Sequence, residues 1–170
     1  CLERGDRVGL CAYGAEVRLL LPPSGGQRQL GALVRATLAL RPETHESDHA
    51  AALEAAQRLC RGRTLFALFT DVEDLDSSRA IIDRAGRLAP RHLPLVFAVG
   101  DPAMARAARQ PPVDVDVAFE RAAVSRILHE RDRAIGQLRE RGARVVDVTP
   151  ASLAGAAQRQ YLEIKAQGLL

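Results

Sequence analysis

Two apolar stretches limit what this chain can become: Thr-Leu-Phe-Ala-Leu-Phe-Thr at residues 64–70 and Leu-Pro-Leu-Val-Phe-Ala-Val at residues 93–99. Neither alternates apolar with polar residues, as a strand with one wet face does. Strands of this kind need cover on both faces, which crossover helices of a parallel sheet provide. Helical spacing between the two runs, around Ser77–Leu88, supplies such a crossover. The 64–70 run is expected to be the central strand.

The flanking residues extend the pattern. Arg7–Tyr13 and Val17–Leu21 are short apolar runs joined by Gly14–Ala15, which reads as a β-hairpin. After the break at Pro22–Gly26, Leu30, Leu33, Val34 and Leu38 mark an amphipathic helix. Ser47 is expected to cap a second helix, with Asp48 adding negative charge there and Ala52, Leu53, Ala56, Leu59 and Cys60 facing inward. A short helix is expected at Ala103–Arg109, a long one from Val117 to Arg141, and a last strand at Val145–Val148. Thr149 and Pro150 then open a terminal helix that stops at Gly168. Alternating strands and helices predict a single α/β domain over residues 1–170. Its expected architecture is three-layered and Rossmann-like, a mostly parallel sheet with helices on both faces and an antiparallel edge hairpin. The opening, Cys1 to Asp6, reads as a helix end running into a strand, so the chain is expected to be a fragment whose upstream part is missing.

Composition narrows the function. The net charge is +3, yet Lys165 is the only lysine and aromatic residues are 4%, too few to build base-stacking platforms, so no nucleic-acid partner is expected. No apolar run approaches the roughly 20 residues that cross a bilayer. Cys1, Cys11 and Cys60 form no Cys-x-x-Cys pair and share no zinc-like spacing with the four histidines. Arg58, Arg61 and Arg63 fall where a helix should end and complement its dipole.

In open α/β sheets, ligands collect at the carboxyl ends of the strands. Tyr13–Gly14, Asp71, Glu73, Asp74, Gly100–Asp101 and Asp147 fall there by the expected topology. Clustered carboxylates favour a hard cation such as magnesium, although a solvated acidic rim explains Glu73, Asp74 and Asp76 as well. Asp71 differs because it leaves a buried strand directly, at the sheet's lip. The loop Thr44-His45-Glu46-Ser47-Asp48 offers a second set of oxygens that could meet it, while capping alone accounts for Ser47. Gly-x-Ser-x-Gly, Walker, Gly-x-Gly-x-x-Gly and His-Glu-x-x-His patterns are missing, and Asp114-x-Asp116 sits in a Pro-rich turn. No catalytic residue is assigned. The alternative to a non-enzymatic module is metal-dependent phosphoryl transfer with Asp71 as nucleophile, or a structural domain whose cation site has decayed.

Gly5-Asp6-Arg7-Val8-Gly9-Leu10, the aromatic-Gly hairpin with Leu-Leu-Leu-Pro-Pro, Glu46-Ser47-Asp48 with Ala50-Ala51-Ala52-Leu53, and Leu-Phe-Thr70-Asp71 follow one another in a recognisable order. Val99-Gly100-Asp101-Pro102, Arg-Gly-Ala-Arg-Val-Val-Asp-Val and Tyr161-Leu162-x-Ile-Lys165 continue it. Together they resemble the von Willebrand factor A-like domain of the bacterial family called domain of unknown function 58. The resemblance implies a metal-ion-dependent adhesion site holding Mg²⁺ or Mn²⁺. Ser47 matches its second loop and Asp71 its third, while the Asp-x-Ser-x-Ser loop of the first strand does not occur in this sequence. It also implies partnership with a MoxR-type AAA+ ATPase and a cytoplasmic domain whose parent is anchored in the bacterial inner membrane. The expected partner-binding surface comprises Tyr13, Gly14, Glu46, Asp48 and Glu73 around the two cation ligands. Without a first strand, Val8–Tyr13 and Leu65–Phe69 are expected to expose unpaired edges, which invite pairing with each other or with a second chain as a homodimer.

Overall fold

β1 (Val8–Tyr13) and β2 (Val17–Ser24) pair antiparallel and turn at Gly14, whose amide donates to the Glu16 carbonyl at 3.0 Å. The register slips between Val8 and Leu10. Gly9 lies in that slip, where a Cβ would come within 2.8 Å of the Leu21 carbonyl oxygen. These strands open a computed structural model that describes residues 1–42 and 45–170, in two compact units, Cys1–Gly62 and Arg63–Leu170. Among the described residues, no helix is long and apolar enough to cross a membrane.

In the first unit, a three-residue 3₁₀ turn at Leu2–Arg4 ends on Gly5 and leads into β1. α1 (Gly26–Ala39) follows the hairpin. Its expected apolar stripe is not buried, since Leu30, Val34 and Leu38 all stand exposed. α2 (His49–Arg58) packs on β1 and β2 through Ala52 and Leu53, as the spacing predicts. The Cys11 thiol sits 3.7 Å from the Ala52 carbonyl, and burial pushes its pKa up, as for a packed small hydrophobe. The hairpin is therefore a separate two-stranded sheet, and not the edge of a larger one as the sequence suggested.

The second unit holds β3 (Leu65–Thr70), α3 (Arg79–Leu88), β4 (Leu93–Val99), α4 (Pro102–Arg109), α5 (Val115–Glu140), β5 (Arg144–Val148) and α6 (Pro150–Ala166). The three strands are parallel in the order β3-β4-β5. This corrects the expectation that 64–70 is central: β4 is the middle strand and β3 lies at an edge. Burial explains the difference. β4 is buried along nearly its whole length, whereas Ala67 and Phe69 of β3 are exposed.

Pro94 would ordinarily argue against a central strand, because it cannot donate to the ladder. The Leu93 amide donates to Thr64, on the β3 side, so position 94 points its nitrogen the other way. On that side, pairing with β5 begins only at Leu95, and no ladder bond is lost.

Successive residues of β4 serve opposite faces. Leu93, Leu95 and Phe97 form a cluster with Val148 and with Ala156 and Ile164 of α6. Asp147 points to the other face, where Arg131 of α5 reaches it, so α5 and α6 lie on opposite sides of the sheet. Asp101, Asp114 and Thr149 open α4, α5 and α6. The Asp101 and Asp114 carboxylates accept from the Ala103 and Val117 amides at 2.7 and 2.8 Å, so Asp114 caps α5 and Asp116 lies within the helix, and not in a Pro-rich turn as the sequence suggested.

His92 is buried beside Phe66 in an edge-to-face contact, and its Nδ1 has no hydrogen-bond partner among the described residues. Burial first, then the charges of Arg91 and Arg63, hold its pKa below the ordinary value. The native state therefore favours the neutral ring. As pH falls below about 6.5, the unfolded chain takes up a proton that the native site resists, and stability drops until the native pKa is passed. His92→Phe is expected to remove this part of the acid-side slope. Chemical-denaturation midpoints across that pH range check it.

Candidate functional site

The expected site residues fall in both units. Tyr13, Gly14, Glu46, Ser47 and Asp48 belong to the first, and Asp71 and Glu73 to the second. Thr44 of the same loop lies outside the described residues.

In the first unit, the hairpin tip and the loop before α2 are tied together. The Asp48 amide donates to the Gly14 carbonyl at 2.8 Å. One residue away on each side, the Tyr13 hydroxyl and His49 Nδ1 share a hydrogen bond at 2.8 Å, with the rings edge to face. The geometry follows from the fold: Tyr13 ends β1, and α2 packs back on that strand, so its first residues meet the hairpin turn. Gly14 is buried beneath the junction, while Glu46 and Asp48 stand exposed and Ser47 is half-buried.

The cap of α2 is not Ser47. Asp48 occupies the N-cap, and its carboxylate accepts from the Ala51 amide at 2.9 Å. An aspartate caps as well as a serine, and it stands one residue closer to the helix. The Ser47 hydroxyl, relieved of capping, makes no hydrogen bond with another described residue. His49, the first residue of α2, is Tyr13's partner.

In the second unit, Asp71 follows the last residue of β3 directly and is exposed. Thr70, buried, turns its hydroxyl toward the Asp71 carbonyl at 3.0 Å and carboxylate at 3.4 Å. Glu73 is exposed in the loop beyond. Asp74 shapes that loop, because its carboxylate accepts from the Asp76 and Ser77 amides, both at 2.8 Å. The Ser77 amide leads the causes that hold its pKa below the usual carboxylate range. Asp101 at the end of β4 is likewise engaged as a cap.

Sequence reasoning passed over Arg131. Its guanidinium, nine-tenths buried, donates to the Ala98 carbonyl at 3.0 Å and to the half-exposed Asp147 carboxylate at 2.8 Å. Its Nη1 has no partner among the described residues. The signal was present: Val117, Arg121, Val124, Leu128, Arg131, Ile135 and Leu138 recur at steps of four and three, so Arg131 occupies a core-facing position of α5. This pair clamps α5 to the carboxyl ends of β4 and β5.

Chemically, the first unit presents a hydrogen-bonded, acid-edged patch, and the second an exposed carboxylate at a strand end. Among the described residues, no three or more His, Cys, Asp or Glu side chains gather as a metal-holding group. A family model described as Protein of unknown function DUF58 matches residues 1–141. No curated protein and no solved structure matches the chain.

Proposed function

The chain belongs to the DUF58 family, and on that premise we propose that it is a non-enzymatic protein-interaction module working with a MoxR-type AAA+ ATPase. The observation that carries the reading is the pinned junction of Gly14 and Asp48. A surface held by a backbone hydrogen bond and by the Tyr13–His49 pair loses little conformational entropy when a partner docks. Glu46 and Asp48 on its edge favour a basic complementary surface.

The proposal includes a von Willebrand A-like architecture and a partial metal-ion-dependent adhesion site. In support, Asp71 stands at the carboxyl end of a parallel strand, and the Ser47 hydroxyl is not spent on capping. An alcohol and a carboxylate are the donor types that Mg²⁺ or Mn²⁺ prefers, and such an ion would bridge to a partner's carboxylate. Ser47 belongs to the first unit and Asp71 to the second, and each is considered by itself as one donor of such a site. By the same reading Glu73 is a partner contact of the second unit. The same reading includes a parent protein anchored in the bacterial inner membrane, with this part in the cytoplasm.

The test is calorimetric titration of a MoxR-type ATPase into the chain. Saturable binding is expected, weakened about tenfold by Asp48→Ala, which removes both a charge of the acidic edge and the cap that holds the start of α2. Arg87→Ala, far along the chain from the patch, is expected to leave it unchanged. Wild-type and Asp48→Ala chains that bind equally, or not at all, would refute the proposal.

A further inference from the structure

The clamp at Arg131 fixes one point of α5 at the carboxyl ends of β4 and β5. Residues 115–130 continue past it, about 24 Å of helix at 1.5 Å per residue. α4 packs against α5, and residues 110–114 join the two as a helical hairpin. Val117, Val124 and Leu128 are partly buried on the side that continues the core stripe.

A second apolar stripe lies on a different side of the same turns. Val115, Phe119 and Ala122 follow at steps of four and three, with Ala118 beside them, and Arg126 completes the spacing. Val115 is 69% and Phe119 72% exposed, and they border a shallow groove with Pro112 and Val113. A helix normally has one apolar stripe, facing its core. Here the second has no cover among the described residues.

We infer that this stripe pairs with the same stripe of a second copy, the two α5 helices running antiparallel about a two-fold axis between residues 120 and 121. The side chains argue for self-pairing. Phe119 of each copy meets the small Ala118–Ala122 notch of the other, a large residue set against small ones. Asp114 and Asp116 lie at one end of the stripe and Arg126 at the other, so antiparallel alignment brings each copy's acidic end to the other's arginine. Asp116 and Arg126 are exposed, and neither forms an ion pair with another described residue. Antiparallel helices also oppose their dipoles favourably. The arginine stem covers Val115 while its head reaches the carboxylates.

This surface is distinct from the strand edges of β1 and β3 and does not depend on the ATPase reading. The test is sedimentation equilibrium of the intact chain over a wide concentration range. A monomer–dimer equilibrium is expected, with the dissociation constant raised about thirtyfold by Phe119→Ser, as for a buried aromatic anchor. Asp116→Arg and Arg126→Asp should each weaken the dimer, and the two together in one chain should restore it. Circular dichroism confirms that each variant is folded. A chain that stays monomeric throughout overturns the inference, as does a dimer indifferent to all these changes, which would assign association to another surface. A double variant that is no tighter than either single one also overturns it.

Discussion

Asp147→Ala is expected to destabilise the chain by about 2–3 kcal/mol, far more than a half-exposed aspartate ordinarily costs. The reason lies in its partner. Arg131 is nine-tenths buried, and one of its nitrogens already lacks a hydrogen bond among the described residues. Removing the carboxylate leaves a buried guanidinium held by the Ala98 carbonyl alone. Arg131→Met retains much of the volume and carries no charge that needs a partner, so it should cost less than Asp147→Ala. Urea unfolding monitored by circular dichroism gives both values. The order of the two variants is the informative result. If Asp147→Ala behaves as a neutral surface change, the clamp does not hold α5.

Phe97→Ala should be more damaging still, by about 3–5 kcal/mol. Phe97 is 1% exposed in the central strand and packs in one cluster with residues of β5 and α6. It also stacks on Phe69, with ring centroids 4.9 Å apart and planes 6° from parallel. Truncation opens a cavity with walls on both strands and on α6, which can collapse only by moving several elements together. Phe69, half-exposed in the edge strand, should lose much less when truncated. A lower denaturation midpoint with an unchanged slope marks a change in stability alone.

These residues also show what could be read in advance. The apolar runs at 64–70 and 93–99 identified two parallel strands correctly, and the cap at Thr149 was plain from the proline that follows it. Strand order was not legible, because an apolar run records residue type and not whether a helix covers it. Ala67 and Phe69 read as buried and lie at an exposed edge. The α1 stripe failed for the same reason: spacing predicted the helix but could not supply its cover.

The site was legible in part. Tyr13, Gly14 and Asp48 fall on one expected surface, and the first unit joins them. The cap moved from Ser47 to Asp48 because adjacent capping residues compete, and one step of register decides between them. Arg131 was missed because a charged side chain within an apolar stripe is easily taken for an interruption, whereas its stem is buried and its head is paired.

The central claim is that the tip of the hairpin and the opening of α2 form one partner surface. Hydrogen exchange of the chain with and without the MoxR-type ATPase tests it most directly. Slowed exchange at the amides of residues 13–16 and 46–51, lost in Asp48→Ala, is the predicted result. Protection confined to other segments while these amides exchange as in the free chain would contradict it.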